Sequence, residues 1–406
     1  MKRIIILGDG MADYPVPELD NRTPLMAAGT PAMDTIARNG RTGLFRTIED
    51  DMPTGSAVAN LSVLGYDPRV TFQGRGVLEA ASLGVQLSET DLAMRVNLIC
   101  IENGKIKSHS SGHISNEEAG HLIQDLNNHF RSWPVSFTQG LSYRHLLVAP
   151  GMDARIECAP PHDHVGESAE SCLVKPLVPE AAETADLLNR IIQESQDFLD
   201  RHEINRKRQN EGKLPANSLW PWSPGHKPGM KTFMERFGVR GAAISAVDLI
   251  KGLAIYAGLD VINVKGATGL YDTNYEGKAD ACLNALEFCD FVYVHVEAPD
   301  EAGHERNLDL KIQCIEDLDR RLIQRVLDGL NQKNIKAVIG LLPDHATPVS
   351  RGCHVRDAVP AAVWDPSVQG DQTELFDEES VKKGSLGLMR GDAFINLIFN
   401  QNAQEG

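Results

Sequence analysis

The chain has 406 residues, a formal net charge of -16, 42% hydrophobic and 24% charged residues. Its length predicts two or three domains, and its composition is that of a folded globular protein, which excludes a largely disordered chain. The acidic balance excludes general binding to nucleic acid, which needs a basic face, while leaving room for a local basic pocket that takes an anionic metabolite.

The chain opens on "RIIIL" at 3–7, a short apolar run ending in Gly8 and Asp9 that reads as a first β-strand. It is too short for a signal segment and lacks a small-residue cleavage site, and no run of 18 apolar residues follows, so neither a secretory leader nor a membrane span is expected. Seven scattered cysteines without a C-x-x-C pair argue against a disulfide framework or cysteine zinc site, and fit buried thiols in a reducing, cytoplasmic setting. Next comes "PTGSAVANLSVLGYDP", with Ser56 between Gly55 and Ala57, where small residues let a bulky group approach the hydroxyl. From about Glu89 the pattern changes: strand-like "AMRVNLICI", a hairpin signal at "ENGK", a helical "SNEEAGHLIQDLNNHF" and strand-like "SYRHLLVAP". These predict a small α+β unit over 87–178, inserted into a core formed by 1–86 and 179–406, with Pro- and Gly-containing connectors near 65–76 and 150–179. The charged stretch 201–213 reads as a solvated helix end. Then "SAVDLIKGLAIYAG" predicts a helix, "DVINV" at 260–264 and "FVYVHV" at 291–296 predict strands, Leu308, Ile312, Ile315, Leu318 and Leu322 recur at helical spacing, and "KAVIGLL" at 336–342 predicts another strand. Strands alternating with helices predict an α/β fold with a mostly parallel sheet covered on both faces, and in such sheets ligands sit beyond the carboxyl ends of the strands.

That edge carries the chemistry. Asp9, Asp300 and His304 in "APDEAGHE", Asp344 and His345 in "LLPDHATP", and His354 in "RGCHV" all fall in loops after predicted strands. Carboxylate and imidazole together suit borderline divalent metals better than calcium. Six such ligands plus Ser56 exceed one tetrahedral site and match two ions, a recurrent device for phosphoryl chemistry. A metal would hold Ser56 as an alkoxide without a histidine base. Competing devices are absent: there is no G-x-x-x-x-G-K-[ST], no G-x-G-x-x-G after a strand, no H-E-x-x-H and no G-x-S-x-G elbow.

With these residues assembled, the chain resembles the cofactor-independent phosphoglycerate mutases of the shorter archaeal type, within the alkaline phosphatase-like metalloenzymes. The resemblance runs nearly end to end, through "GDGMAD", "PTGSAVANLSVLGYDP", "GRGVLEA", "HSSGHIS", "GLSYRHLLV", "GATGLYDTNYEGKA", "VEAPDEAGHE" and "PDHATPVS" with "CHV". It implies an alkaline phosphatase-like core with an inserted lid domain, and a metal-dependent isomerase that interconverts 3-phosphoglycerate and 2-phosphoglycerate without a bisphosphoglycerate cofactor. Carried over by position, Ser56 is the nucleophile that becomes phosphoserine. Asp300, His304 and His354 hold one ion, and Asp9, Ser56, Asp344 and His345 the other; manganese is expected, with zinc, cobalt or magnesium as alternatives. His109, His113 and Arg144 are expected to meet the substrate's phosphate and carboxylate, an Arg presenting two donors to a pair of anionic oxygens. The expected partner is a small phosphorylated metabolite, with no nucleic acid and no membrane, and homo-oligomer formation is left open. One stretch, "ANSLWPWSPGHKPGM" at 216–230, is similar to a bacterial branch proposed to phosphorylate homoserine, which gives the alternative of a homoserine kinase. A phosphomonoesterase on the same scaffold is the other. Packing of Trp220 and Trp222 between domains is the structural expectation for that stretch.

Overall fold

A computed structural model describes residues 1–400. They divide into two compact units, Met1–Phe72 together with the chain from Gly229 onward, and Gln73–Pro228.

The first unit is built on eight strands: β1 (Lys2–Gly8), β2 (Arg41–Phe45), β3 (Gly241–Ile244), β4 (Asp260–Val261), β5 (Phe291–Val296), β6 (Ala337–Leu342), β7 (Val359–Trp364) and β8 (Gly387–Met389). Their order across the sheet is β4-β3-β5-β1-β6-β7-β2-β8. The β4 to β6 half is parallel throughout, whereas β7 runs antiparallel to both of its neighbours. β1, β5 and β6 are apolar runs, and every residue of β5 and β6 is buried, as expected of strands covered on both faces. Ile4 and Ile6 share a core with Met33 and Ile36 of the helix Pro31–Asn39, with Cys282 of Tyr275–Ala285, and with Ile315, Leu322 and Val326. Those last three lie on a continuous helical segment from Leu308 to Gln332 that contains a π-helical turn at Leu318–Ile323. The turn places Asp319 where its carboxylate accepts the Ala32 and Met33 amides at 3.2 and 2.7 Å, satisfying free donors at the start of the helix Pro31–Asn39. Of the expected strand at 260–264, only Asp260 and Val261 pair with a neighbour.

Strand register sets where the loops emerge. Gly8 pairs with Val296 and Leu7 with Leu342, so β5, β1 and β6 are adjacent and end level with one another. The loops that carry the acidic and histidine residues therefore leave the sheet at one edge.

The second unit holds a five-stranded antiparallel sheet. Asp91–Glu102 is its centre, pairing with Lys105–Ser108, Arg144–Pro150 and Ser218–Gly225, while Ser136–Thr138 pairs with Arg144–Pro150. The helices Asn116–His129 and Ala182–Leu199 bury Leu122, Leu126, Leu188 and Ile191 against Met94, Val96 and Leu98. This unit takes in more chain than 87–178, because the helix from Ala182 shares its core and Ser218–Gly225 completes its sheet. Trp220 is wholly buried in that core and donates its indole N–H to the Ala159 carbonyl at 2.9 Å, so it is an internal residue of the second unit rather than a side chain between domains. Arg208, within the stretch read as solvated, is buried, and its guanidinium donates to Leu214 O, Glu118 and Ser111 O. Among the described residues no helix is long and apolar enough to cross a membrane.

Candidate active site

Asp9 follows β1, Asp344 and His345 follow β6, and the helix Ala298–His304 starts directly after β5. Pro in the first turn of that short helix fixes its start, and one helical turn separates Asp300 from His304, so both point the same way. A bridge between Ala346 and Val355 folds the chain after β6 back on itself and returns His354 to its neighbours. Gly10 has φ +61, and a Cβ there would overlap the Asp300 carboxylate; only glycine allows the first loop this close.

Two clusters result. In one, His304 Nε2 lies 3.1 Å and His354 Nε2 3.5 Å from Asp300 Oδ2, and the two Nε2 atoms are 2.9 Å apart. In the other, His345 Nε2 lies 3.4 Å from Asp9 Oδ1, 3.5 Å from Asp344 Oδ2 and 3.2 Å from Ser56 Oγ. The His345 and His354 rings have centroids 4.0 Å apart, joining the clusters. Asp9, Asp344 and His345 are fully buried, whereas Ser56 and His354 are half-buried and His304 is exposed, so the assembly opens to solvent on the serine and histidine side. Ser56 is the first residue of the helix Ser56–Val63, preceded by Gly55 at φ 153, a conformation that favours glycine.

Surrounding hydrogen bonds aim these atoms. His304 Nδ1 donates to the Gly352 carbonyl at 3.0 Å. The Thr347 hydroxyl donates to Asp300 Oδ1 and lies 3.2 Å from His345 Nδ1, from which it accepts. With a cation in the site, both imidazoles would carry their proton on Nδ1 and turn an Nε2 lone pair toward it. Asn60, one turn after Ser56, donates its amide to Ser56 O and to Asp344 Oδ2, both at 2.8 Å, and its oxygen accepts from Tyr293. Lys311, wholly buried, donates to Asp13 at 2.7 Å and to the Ala12 and Thr347 carbonyls, which ties the loops after β1 and β6 together.

The charge in this space is unbalanced without a cation. Burial, then the neighbouring carboxylates, pushes Asp9 well above the usual carboxylate range, and Glu297 up to about 8. Burial alone would raise Asp300 too, but the His304 and His354 imidazoles hold it well below that range, while the Asp300 hydrogen bond lifts His304 to about 9. Burial pushes His295 down to about 3. Asp9 Oδ1 is buried without a hydrogen-bond partner among the described residues, a costly state for a carboxylate oxygen. Asp300, His304 and His354 form one group whose ligand atoms converge, and Asp9, Asp344 and His345 another. Imidazole nitrogens and carboxylate oxygens presented in this way fit divalent transition metals, so the residues suit two such ions.

In the second unit, His109 and His113 flank Tyr143 with ring centroids 5.6 and 6.0 Å away, and the Arg144 guanidinium lies 5.7 Å over the same ring. The three expected substrate residues are thus neighbours. Burial, then His162 and His113, pulls His109 below the usual imidazole range. His162, in "APPHDHV", stands 6.2 Å from His109 and 5.2 Å from Trp222; sequence reasoning passed over it, as it did Tyr143, Asn60, His295, Glu297 and Thr347. The dense "PDHATP" segment was the available signal for Thr347. A buried strand ending "VHVE" was the signal for His295 and Glu297, since neither residue type belongs in such a strand unpaired.

Residues 37–205 match the 2,3-bisphosphoglycerate-independent phosphoglycerate mutase family. Over 400 residues the chain is 50% identical to the protein of that name from Methanosarcina acetivorans, covering 98% of this chain and 99% of the relative. Among solved structures, the PH0037 protein from Pyrococcus horikoshii is 32% identical with a TM-score of 0.84, covering 100% of this chain and 99% of the other. A cofactor-independent phosphoglycerate mutase from Thermoplasma acidophilum is 30% identical with a TM-score of 0.72, covering 98% and 99%.

Proposed function

The chain belongs to the 2,3-bisphosphoglycerate-independent phosphoglycerate mutases and is an isomerase that interconverts 3-phosphoglycerate and 2-phosphoglycerate; we propose that it does so through a phosphoserine on Ser56, with two divalent ions held by the two clusters. The observation that carries this reading is the position of Ser56 Oγ, 3.2 Å from His345 Nε2 and so beside the Asp9 and Asp344 carboxylates.

Asp300, His304 and His354 would hold one ion, and Asp9, Ser56, Asp344 and His345 the other; manganese suits this donor set, as do zinc and cobalt, with magnesium a poorer match. When bound, such ions lower the pKa of a hydroxyl and offset the charge of phosphoryl oxygens. Ser56 Oγ gives up its proton as it attacks phosphorus in line, its bond to phosphorus forms as the bond to the glycerate oxygen breaks, and that oxygen takes up a proton in turn. In the second half the other glycerate hydroxyl loses its proton as it attacks, the bond to Oγ breaks, and Oγ takes up a proton, so that Ser56 is restored. The phosphoryl group is neither gained nor lost, so no bisphosphoglycerate primer enters the balance. Backbone N–H groups at the start of the helix Ser56–Val63 favour the anionic group held there. His109, His113 and Arg144 recognise the substrate's anionic oxygens, Arg144 through paired donors. Residues 73–228 are the inserted, substrate-recognising domain. No comparison favours phosphoryl transfer from ATP to homoserine, and of the two tryptophans in the stretch that suggested it, Trp220 is a core side chain and Trp222 is buried and donates its indole N–H to Asn97.

The test is isomerisation of 3-phosphoglycerate by manganese-loaded protein in the absence of bisphosphoglycerate. The expected result is activity that chelation removes and that Ser56→Ala lacks. Activity retained by Ser56→Ala, or inorganic phosphate released faster than 2-phosphoglycerate forms, would contradict the reading.

A further inference from the structure

We infer that His295 is a positioning residue for Asp9, held in one orientation by Ser245, and that this brace sets the metal affinity of the Asp9 cluster. His295 is the next-to-last residue of β5 and fully buried. Its Nε2 lies 2.9 Å from Asp9 Oδ2 and its Nδ1 3.2 Å from Ser245 Oγ. The Val247 N–H donates to that same Ser245 oxygen at 3.1 Å, and the Lys278 ammonium donates to the His295 carbonyl at 3.1 Å. With a cation held by the cluster, Asp9 is an ionised carboxylate that only accepts, so the proton between His295 and Asp9 then belongs to Nε2. Nδ1 then accepts from the Ser245 hydroxyl, whose oxygen is already oriented by the Val247 amide. The ring has one tautomer and one orientation. The consequence falls on Asp9: Oδ2 is committed to His295, while Oδ1 is left buried, without a hydrogen-bond partner among the described residues, and turned toward His345 Nε2 at 3.4 Å. His295 thus reserves one carboxylate oxygen for a cation at the Asp9, Asp344 and His345 cluster. In the Asp300 cluster the corresponding hold comes from the Thr347 hydroxyl on Asp300 Oδ1 and from the Gly352 carbonyl on His304.

The inference rests on the two-metal reading above, and one titration separates the two. Metal-free protein is titrated calorimetrically with manganese, in the wild type, His295→Leu, His295→Gln and Ser245→Ala, each checked for native circular dichroism. The wild type should bind two ions. His295→Leu should weaken one site about tenfold to a hundredfold, the range for loss of a hydrogen bond that orients a metal ligand, and leave the other at its wild-type value. His295→Gln, which can present an amide N–H near the Nε2 position, should recover most of that affinity, and Ser245→Ala should show a smaller loss at the same site. An Asp9→Asn background assigns the site: there, adding His295→Leu should change nothing further. Wild-type affinity at both sites in His295→Leu overturns the inference, as does a loss shared equally by both sites or a His295→Gln variant as weak as His295→Leu. Should His295→Leu fail to fold, unchanged binding by Ser245→Ala overturns it. A wild type that binds no divalent ion overturns the two-metal reading and this inference with it, whereas a two-ion wild type with unaffected variants overturns this inference alone.

Discussion

The Thr347 hydroxyl serves both clusters, donating to Asp300 and accepting from His345 Nδ1. Thr347→Val keeps the shape and removes that hydroxyl, leaving a buried carboxylate oxygen and a buried imidazole N–H without partners. Each such orphan costs about 1 to 3 kcal/mol, and the freed His345 can adopt the tautomer that points a proton at the site. The expected outcome is a lower melting temperature together with weaker manganese binding at both sites, while Thr347→Ser stays close to wild type; equal behaviour of the Val and Ser variants would mean that packing, not the hydroxyl, is what matters. Thr347 also marks the limit of what the sequence discloses. Asp9, Asp300, His304, Asp344, His345 and His354 were legible because each follows a recognisable strand, and a parallel sheet collects such loops at one edge. Thr347, Asn60 and His295 act through hydrogen-bond direction, which no periodicity records, and a buried Thr or Asn reads no differently from one that merely satisfies itself.

At the scale of elements, the loops after β1 and β6 are held in register by more than the sheet. Lys311, on the helix Leu308–Asp317, joins Asp13 to two backbone carbonyls with no exposure to water. Replacing it with Met leaves Asp13 as an uncompensated buried charge, for which losses of about 3 to 5 kcal/mol are typical. Urea unfolding of Lys311→Met should show a loss of that size and, below the transition, reduced manganese affinity; a loss under about 1 kcal/mol would mean that the pair contributes little beyond its own desolvation cost. Gly10→Ala addresses the same loop differently. With φ +61 and the Asp300 carboxylate in the path of a Cβ, it should displace Asp300 and weaken metal binding even where the fold survives. The elements themselves were largely legible, since β1, β5 and β6 are mostly apolar runs bounded by polar loops. The extent of the second unit was not. Ser218–Gly225 carries two prolines, which make it a poor strand by propensity, and it joins the sheet because it pairs with Asp91–Glu102 from a distant part of the chain.

For the whole molecule, the cluster of carboxylates couples folding to metal and to pH. Burial raises Glu297 from 4.5 to about 8, and Asp9 is also raised. A carboxyl raised on folding binds its proton more tightly in the folded state, so its contribution to stability is complete below the unfolded value and is lost as pH rises through the folded one. Metal-free protein should therefore lose melting temperature between pH 4.5 and 8. Saturating manganese should flatten that decline by supplying the missing positive charge, and Glu297→Gln should flatten it without metal. A metal-free profile as flat as the loaded one would show that these carboxyls do not titrate as their burial requires. The central claim, that the phosphoryl group passes through Ser56, has a direct measurement: manganese-loaded protein is mixed with isotopically labelled 3-phosphoglycerate, quenched in acid during turnover, digested, and read by mass spectrometry. The account predicts labelled phosphate on the peptide containing Ser56 and on no other; turnover to 2-phosphoglycerate with no label on Ser56 at any quench time would contradict it.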